Sequence, residues 1–215
     1  MNDGLVEILS ITTGLVGATG SPMAVAISGL VVGVAGGISM GISTYTSTRS
    51  QRQVHEGILK RIFSASKFVG HIFKERVMNY LEKRGYSKKL SSEIAEETAR
   101  DTRLLSSVVS EQEYGLREEN LGSPTKAALY AGLSNLIAAF IPLFPYFFTS
   151  NILVALIISL ILAIVALAIT GFFVAVLANM PLGKKMGEMI LTGLGAAIIT
   201  YGIGKAASAI LGTGV

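Results

Sequence analysis

The chain has 215 residues, of which 51% are hydrophobic and 15% are charged, with a net charge of +4 and a mean hydropathy of +0.59. An ordinary soluble domain carries about 25% charged residues. The charges here are also confined, because 26 of the 32 lie between Arg49 and Lys126. This distribution excludes a water-soluble enzyme and predicts an integral membrane protein.

The first charge-free run covers the 41 residues 8–48 and is interrupted at residues 20–22, Gly-Ser-Pro. A helix needs about 20 apolar residues to cross a bilayer. The run therefore predicts two spans with a break at that tripeptide. The segment before it has no basic start and carries Asp3 and Glu7, so we do not expect a cleaved signal peptide.

The second predicted span has a glycine at every fourth position: Gly29, Gly33, Gly37 and Gly41. Small residues at this spacing allow two helix backbones to approach closely. We interpret the repeat as a helix–helix contact rather than as a chemical site.

Residues 49–124 are predicted to form a helical insert between the second and third spans. Apolar residues at three- and four-residue steps from Val54 to Val77 predict an amphipathic helix. It is expected to end at Gly85, since glycine after basic residues is a common stop signal. Ser92 is predicted to cap the next helix.

Acidic residues on that next helix allow two interpretations. Glu93, Glu97 and Asp101 are spaced to form one acidic ridge, and carboxylates on one face suit divalent cations. Alternatively, the helix has a solvated surface on which Glu96 pairs with Arg100. We favour the solvated surface, because charge runs are usually solvated faces.

The second charge-free run covers the 57 residues 127–183 and contains Pro142, Pro145 and Asn151, where we expect it to divide into two spans. A fifth span is predicted over residues 187–211, with Lys205 close enough to its end to reach the interface. The predicted fold is an all-α integral membrane protein with five transmembrane helices. Its domains are residues 1–48 (helices 1 and 2), 49–124 (the insert) and 125–215 (helices 3 to 5).

Basic residues predict the orientation, because 17 of the 18 Lys and Arg lie in the insert, through Lys126, or in an expected loop at Lys184 and Lys185. The positive-inside rule places these segments in the cytosol. Five spans then leave the N-terminus cytosolic and the C-terminus outside, and the expected location is the cell membrane. The basic charge follows from this topology, so we expect no nucleic-acid partner.

Acidic residues next to the spans are the candidate functional groups. Asp3 and Glu7 lie one turn apart at the start of the first span, and Glu188 lies near the start of the fifth. Ionisable groups within a membrane usually mark ion or proton pathways. An interfacial position in water is the alternative, above all for Asp3. Asn135, within the third span, is expected to need an internal partner.

Several short segments together carry a family resemblance. They are residues 3–5 (Asp-Gly-Leu), 38–41 (Ile-Ser-Met-Gly), 141–146 (Ile-Pro-Leu-Phe-Pro-Tyr) and 187–189 (Gly-Glu-Met). In this order along nearly the whole chain, they resemble the vacuolar iron transporter family, whose members export cytosolic Fe(II) or Mn(II) in exchange for protons.

The resemblance implies roles for four residues. Asp3 and Met40 match the family's transmembrane metal ligands. Glu113 matches an acid of its cytosolic metal-binding domain, to which the insert corresponds. Glu188 matches the acid that opens the last span.

The chain also departs from the family pattern. Val32 stands where some members carry a Glu, and Val109 and Ser110 stand where the family has paired methionines. We therefore expect the insert to capture metal weakly. Glu7 stands where the family has an apolar residue, so it is a candidate replacement for the acid missing at Val32.

The favoured function is export of Fe(II) or Mn(II) by a homodimer, with Asp3, Glu7 and Met40 binding the ion between the first two spans. Protonation of the carboxylates would release the metal. No resident cofactor is expected. The alternative is a non-transporting membrane scaffold whose insert binds a partner protein. A membrane enzyme has little support, since the sequence shows no nucleophile–base set, zinc motif or phosphate loop.

Overall fold

A computed structural model describes residues 2–115 and 122–212, and the regular structure of these residues is entirely helical. The helices are α1 (Asn2–Ala18), α2 (Pro22–Lys83), α3 (Lys88–Ala99), α4 (Thr102–Tyr114), α5 (Pro124–Leu143), α6 (Pro145–Phe148), α7 (Ile152–Leu177) and α8 (Leu182–Leu211). The chain divides into two compact units, the first formed by residues 1–44 and 125–215 and the second by residues 45–124.

Two helix breaks of the first unit lie where the sequence predicts them, although Pro142 lies inside α5 and does not end it. α1 ends at Ala18 and α2 begins at Pro22, because proline fits a first helical turn, where its missing N–H is not needed. Between α5 and α7, Pro145 opens the short helix α6. Asn151 then caps α7, and its side-chain oxygen accepts a hydrogen bond from the backbone N–H of Leu153 at 3.0 Å.

The start of α8 corrects one expectation. The last helix begins at Leu182, directly after Pro181, and not at Gly187. Lys184 and Lys185 therefore lie in its first turns rather than in a loop. Pro181 explains the earlier start, since its fixed φ, here −59°, suits the entry to a helix.

α1 lies among the other long helices of the first unit, and its neighbours define their directions. Along α2 and α7 the contacts run in opposite order to α1, and along α5 and α8 they run in the same order. The pairs are Ile8–Gly33 and Thr12–Gly29 for α2, Leu5–Leu167 and Leu9–Ala163 for α7, Gly4–Asn135 and Ile8–Ala139 for α5, and Val6–Gly193 and Thr13–Thr200 for α8. In chain order, the five helices alternate in direction.

Glycines bring α1 and α8 into backbone contact. A Cβ atom added to Gly204 would overlap the carbonyl oxygen of Gly14 and would lie 3.1 Å from the nitrogen of Ala18. A Cβ on Gly17 would lie 2.5 Å from the carbonyl oxygen of Tyr201. Only glycine fits at these positions, because the opposing atoms are backbone atoms that cannot rotate away.

Four helices of the described residues are long and apolar enough to cross a membrane: α2, α5, α7 and α8. α7 is the most apolar, and large side chains such as Ile161 and Phe173 are more than half exposed on it. A helix that is apolar on all sides is typical of a membrane span. α1 has 17 described residues, about 26 Å of helix, against a hydrocarbon core of about 30 Å. The protein is an integral membrane protein.

The second unit has its own apolar core, formed by Ile62, Phe73, Val77, Ala95, Leu105 and Val109. The predicted stripe is only partly correct, because Val54 and Ile72 are exposed and Phe73 takes the inward position. α2 departs from helical geometry at Val69 (φ −123°, ψ 33°) and ends at Lys83. The predicted stop at Gly85 is confirmed, and its φ of 98° is one that glycine tolerates best.

The helix caps of the second unit correct two further expectations. α3 is capped by Ser87, whose side chain accepts a hydrogen bond from the N–H of Leu90, and not by Ser92. α3 ends at Ala99, and Asp101 caps the next helix by accepting from the N–H of Arg103 at 2.7 Å. The single helix expected across residue 100 is therefore two helices.

Candidate functional site

Asp3 and Glu7 lie on one exposed side of α1, as their spacing predicts. Within the described chain, neither carboxylate makes a hydrogen bond or an ion pair. The residues between and after them, Gly4, Leu5 and Ile8, are buried against the other helices. Two negative charges thus stand on the open face of an apolar helix, and no cation among the described residues pairs with them.

The Glu7 carboxylate points across to α2 at a glycine. A Cβ atom built on Gly36 would lie 3.3 Å from Glu7 Oε2 and 3.5 Å from Oε1. The same point is 3.5 Å from the Nδ2 atom of Asn135 on α5. Three helices therefore meet around the missing side chain of Gly36, with one carboxylate and one amide directed toward it.

The antiparallel register places Met40 at the level of Asp3. Glu7 contacts Gly36, Met40 lies one turn after Gly36, and Asp3 lies one turn before Glu7. Met40 is half-buried. Three of the residues predicted from sequence, Asp3, Glu7 and Met40, thus lie at the same end of the α1–α2 pair, over about two helical turns.

Glu188 has a different environment. Its carboxylate pairs with Lys185 at 3.0 Å, one turn earlier on α8, and its side chain is 56% exposed. The α1–α8 register, in which Val6 meets Gly193, puts Glu188 near the level at which α1 begins. The structure thus places this acid at the same end of the unit as Asp3 and supplies it with a counter-charge.

Glu113 belongs to the second unit, where it forms an ion pair with Arg76. Its side chain is 27% exposed, and the Arg76 guanidinium also lies over the ring of Phe73 at 5.5 Å. A guanidinium in this position balances the charge that a metal ion would otherwise balance.

The predicted acidic ridge of the second unit does not form. Asp101 caps α4 while Glu93 and Glu97 lie on α3, so the three carboxylates do not share one helix face. The expected pairing of Glu96 with Arg100 is also wrong. Glu97 pairs with Arg100 at 2.8 Å, and Glu96 pairs with Lys74 of α2 at 3.0 Å.

Across residues 2–115 and 122–212, no three His or acidic side chains gather in a way that could hold a metal ion. The charged groups of the second unit instead pair with one another. Arg52 Nε, for example, donates a hydrogen bond to Glu56 at 2.8 Å, which lowers the pKa of that carboxyl below its ordinary value. Such a surface behaves as a solvated helix face.

The sequence pattern did not single out Gly36, which lies between the repeated glycines at 33 and 37. Asn135 was expected to need an internal partner, but the sequence did not identify which helix would face it. Two sequence features could have indicated these residues. They are the glycine doublet at 36–37 and the one amide side chain within the apolar part of the run 127–183.

Known proteins resemble this chain along nearly its whole length. The model of the VIT family matches residues 1–205. The chain belongs to the VIT family. The match includes Asp3, Glu7, Met40, Glu113 and Glu188, and it extends through both compact units.

Plant members of the VIT family are among its relatives in sequence. Vacuolar iron transporter 1 of Oryza sativa subsp. japonica is 25% identical over 207 residues, which cover 96% of this chain and 82% of the relative. The vacuolar iron transporter of Centaurea cyanus is 25% identical over 205 residues, 95% of this chain and 83% of the relative. Vacuolar iron transporter homolog 2.1 of Arabidopsis thaliana is 24% identical over 204 residues, which cover 95% of this chain and 76% of the relative.

Proposed function

We propose that this VIT-family protein carries Fe(II), Mn(II) or both out of the cytosol in exchange for protons. The observation that carries the proposal is a pair of carboxylates, Asp3 and Glu7, that have no counter-charge among the described residues and lie on a helix otherwise without charge. Charged groups at such positions are expensive and usually serve an ion path. Membership of the family, and the iron transport in the names of its plant relatives, support a metal ion as the cargo.

The proposed cargo site consists of Asp3, Glu7 and Met40, supplied by α1 and α2. Carboxylate oxygens bind Mn(II) and Fe(II), and the thioether of Met40 shifts the preference toward iron. A carboxylate does not hold a proton and a metal ion equally well, so proton entry from the outer side releases the cation. Glu188 is proposed as an acid at the mouth of the same path, where Lys185 balances it until an ion arrives.

Five membrane helices are proposed, with α1 as the first. The alternating directions of α1, α2, α5, α7 and α8 support this count, and so does the burial of α1 among the other helices. The N-terminus and the insert, residues 49–124, are then cytosolic and the C-terminus is outside. The cell membrane is the proposed location, whereas the relatives are vacuolar by name, and imaging of a tagged chain tests this point.

A homodimer is proposed because the open face of α1 and α2 suits protein better than lipid. A groove of about 420 Å³ lies between α2 and α5, lined by Gly37, Gly41 and Gly132 and by larger apolar side chains, and the Glu7 carboxylate is exposed on the face of α1 and α2. A second copy seated here would keep the carboxylates from hydrocarbon and place two sets of ligands face to face. Crosslinking in membranes, with single cysteines on this face, tests the arrangement.

The insert is proposed to contribute little to metal capture, because its one matched acid, Glu113, is held by Arg76. Divalent cations would reach the membrane site from the cytosol directly. Binding measured on the full chain after removal of both membrane carboxylates, by Asp3→Asn with Glu7→Gln, would report any capacity that the insert retains.

The decisive experiment is transport by the purified protein in liposomes, measured for Fe, Mn, Co and Zn with and without a pH gradient. Asp3→Asn is expected to abolish flux while the protein remains folded, because the other carboxylate then has too few partners to hold the ion. Glu56→Gln is the matched control, since it removes an exposed carboxylate from the second unit. Equal flux in the two variants would contradict the site, and absence of flux in the unaltered protein would favour the scaffold alternative.

Glu7 needs its own test, because the resemblance to the family gives no acid at this position. Glu7→Gln is expected to reduce flux nearly as far as Asp3→Asn. Val32 packs toward Ile8 and Ala139, one turn from Gly36 on α2, so a glutamate there faces the same helices. The double change Val32→Glu with Glu7→Val asks whether an acid on α2 restores transport. Normal flux and affinity in Glu7→Gln would reduce Glu7 to an interfacial residue.

A further inference from the structure

Asn135 places a polar side chain among the apolar residues of the first unit. It lies midway along the apolar helix α5 and is 3% exposed. Among the described residues its amide makes no hydrogen bond. Burying an amide without a hydrogen bond costs about 1–3 kcal/mol in proteins, and most buried polar groups do have partners. An amide without a hydrogen bond in an apolar helix is therefore available to bind a ligand.

Two glycines make room for this amide. A Cβ on Gly4 of α1 would lie 2.8 Å from the carbonyl oxygen of Asn135, so only a glycine lets α1 approach α5 at this level. A Cβ on Gly36 of α2 would lie 3.5 Å from Asn135 Nδ2 and 3.3 Å from Glu7 Oε2. At Gly4 the Asn135 side chain itself takes up the room of the missing Cβ, whereas at Gly36 the Asn135 Nδ2 atom and the Glu7 carboxylate face one point from two sides.

The donors around this space are those of a hard cation. A carboxylate and an amide oxygen are ligands for Mg, Ca and Mn. Rotation of the amide about its last bond exchanges Oδ1 with Nδ2 and leaves the volume of the side chain unchanged. The oxygen can thus turn toward the space when a cation enters, and the NH₂ group can turn toward the carboxylate when it leaves.

We propose that Glu7 and Asn135 form a second position for a divalent cation, bridging α1 and α5 beside Gly36, one turn deeper than the level of Asp3 and Met40. It is an all-oxygen position, suited to Mn(II), whereas the outer level includes a thioether suited to Fe(II). The inference rests on the proposed function for its role in transport, and it assigns Asn135 as a ligand.

The test measures Mn(II) binding to the purified full chain by electron paramagnetic resonance, which needs no transport. Asn135→Leu is expected to weaken binding at one site by at least about tenfold. Asn135→Asp is expected to keep or tighten it, because the oxygen remains and a charge is added. Ser134→Ala is the matched control on the same helix, since the Ser134 hydroxyl bonds only to the backbone of its own helix, at Ala131.

A second variant keeps both donors and fills the space between them. Gly36→Ala should lower Mn(II) affinity as Asn135→Leu does. Gly202→Ala on α8, where nothing lies within 4 Å of the added atom, should leave it unchanged. Unaltered Mn(II) affinity in Gly36→Ala, or in a folded Asn135→Leu, would overturn the proposal, and so would absence of Mn(II) binding in the unaltered chain. Loss of liposome flux with this binding pattern intact would instead contradict only the proposed transport function.

Discussion

The contact between α1 and α8 allows a stability prediction from two glycines of one helix. Gly204 and Gly202 are two residues apart on α8, but a Cβ at Gly204 would overlap the backbone of Gly14, while a Cβ at Gly202 would meet nothing within 4 Å. Gly204→Ala should therefore force the two helices apart. Overpacking of this kind costs about 1–3 kcal/mol.

Gly202→Ala makes the same substitution at a position where the added methyl group meets no other atom, and it serves as the control. Alanine in place of glycine within a helix is favourable by up to about 1 kcal/mol. For a chain of this size each kcal/mol corresponds to about 2–4 °C in the unfolding midpoint. We thus expect Gly204→Ala to unfold about 2–12 °C below the unaltered protein and Gly202→Ala at or slightly above it.

Far-ultraviolet circular dichroism in detergent measures these midpoints, because the structure is helical throughout its described residues. The three proteins should be heated at one rate, since unfolding from detergent need not be reversible. Midpoints of the two variants within about 1 °C of each other would refute the close contact of α1 with α8.

Three further predictions follow from other parts of the chain. For topology, single cysteines are placed at Ser64, which is exposed, and at Thr213, which lies beyond the described residues. They should react with an impermeant reagent from opposite sides of the membrane, and reaction of both from the same side would exclude five spans. Arg76→Gln should free Glu113 and raise Mn(II) binding by the second unit a few-fold. The loss of stability should be less than about 1 kcal/mol, since exposed ion pairs contribute little. Unchanged Mn(II) binding would show that the ion pair does not limit the affinity of the second unit. Met40→Leu nearly preserves volume, so it should lower the ratio of Fe(II) to Mn(II) flux by about tenfold and leave the thermal midpoint near its original value; an unchanged ratio would remove the thioether from the site.

The sequence predicts those features that depend on local chemistry. The break at Pro22 and the cap at Asn151 are formed by residues that act on their own backbone, so their positions follow from composition. The stop at Gly85 belongs to the same class. Each needs no knowledge of what lies across the helix.

Features that depend on competing local signals are less predictable. Ser87 and Ser92 are both good caps, and the earlier start at Ser87 makes Ser91 part of the helix, buried on the same face as Ala95 of the core. The break between α3 and α4 has no glycine or proline, and Asp101 forms it by capping the following helix. The Asp101 carboxylate, which the spacing assigns to an acidic face, thus accepts a backbone hydrogen bond instead.

The candidate site lies at the limit of sequence reasoning. Asp3 and Glu7 follow from charge in an apolar run, but the direction of Asn135 depends on the register of α5 against α1. Gly4 allows α1 to approach α5 at this level, and it matters only because Asn135 faces it. A one-residue shift between the helices would turn the amide about 100° away from the carboxylate.

The hydrogen bond between Thr13 and Thr200, 187 residues apart, has a consequence for how the protein is made. Chains emerge at about 5–20 residues per second, so α1 leaves the ribosome roughly 10–40 s before its closest neighbour exists. During this interval the glycine face that α8 will cover is open to lipid or to assembly factors. A nascent chain that stops before α8 should therefore remain a target for membrane quality control, and supplying α8 as a separate peptide should rescue it.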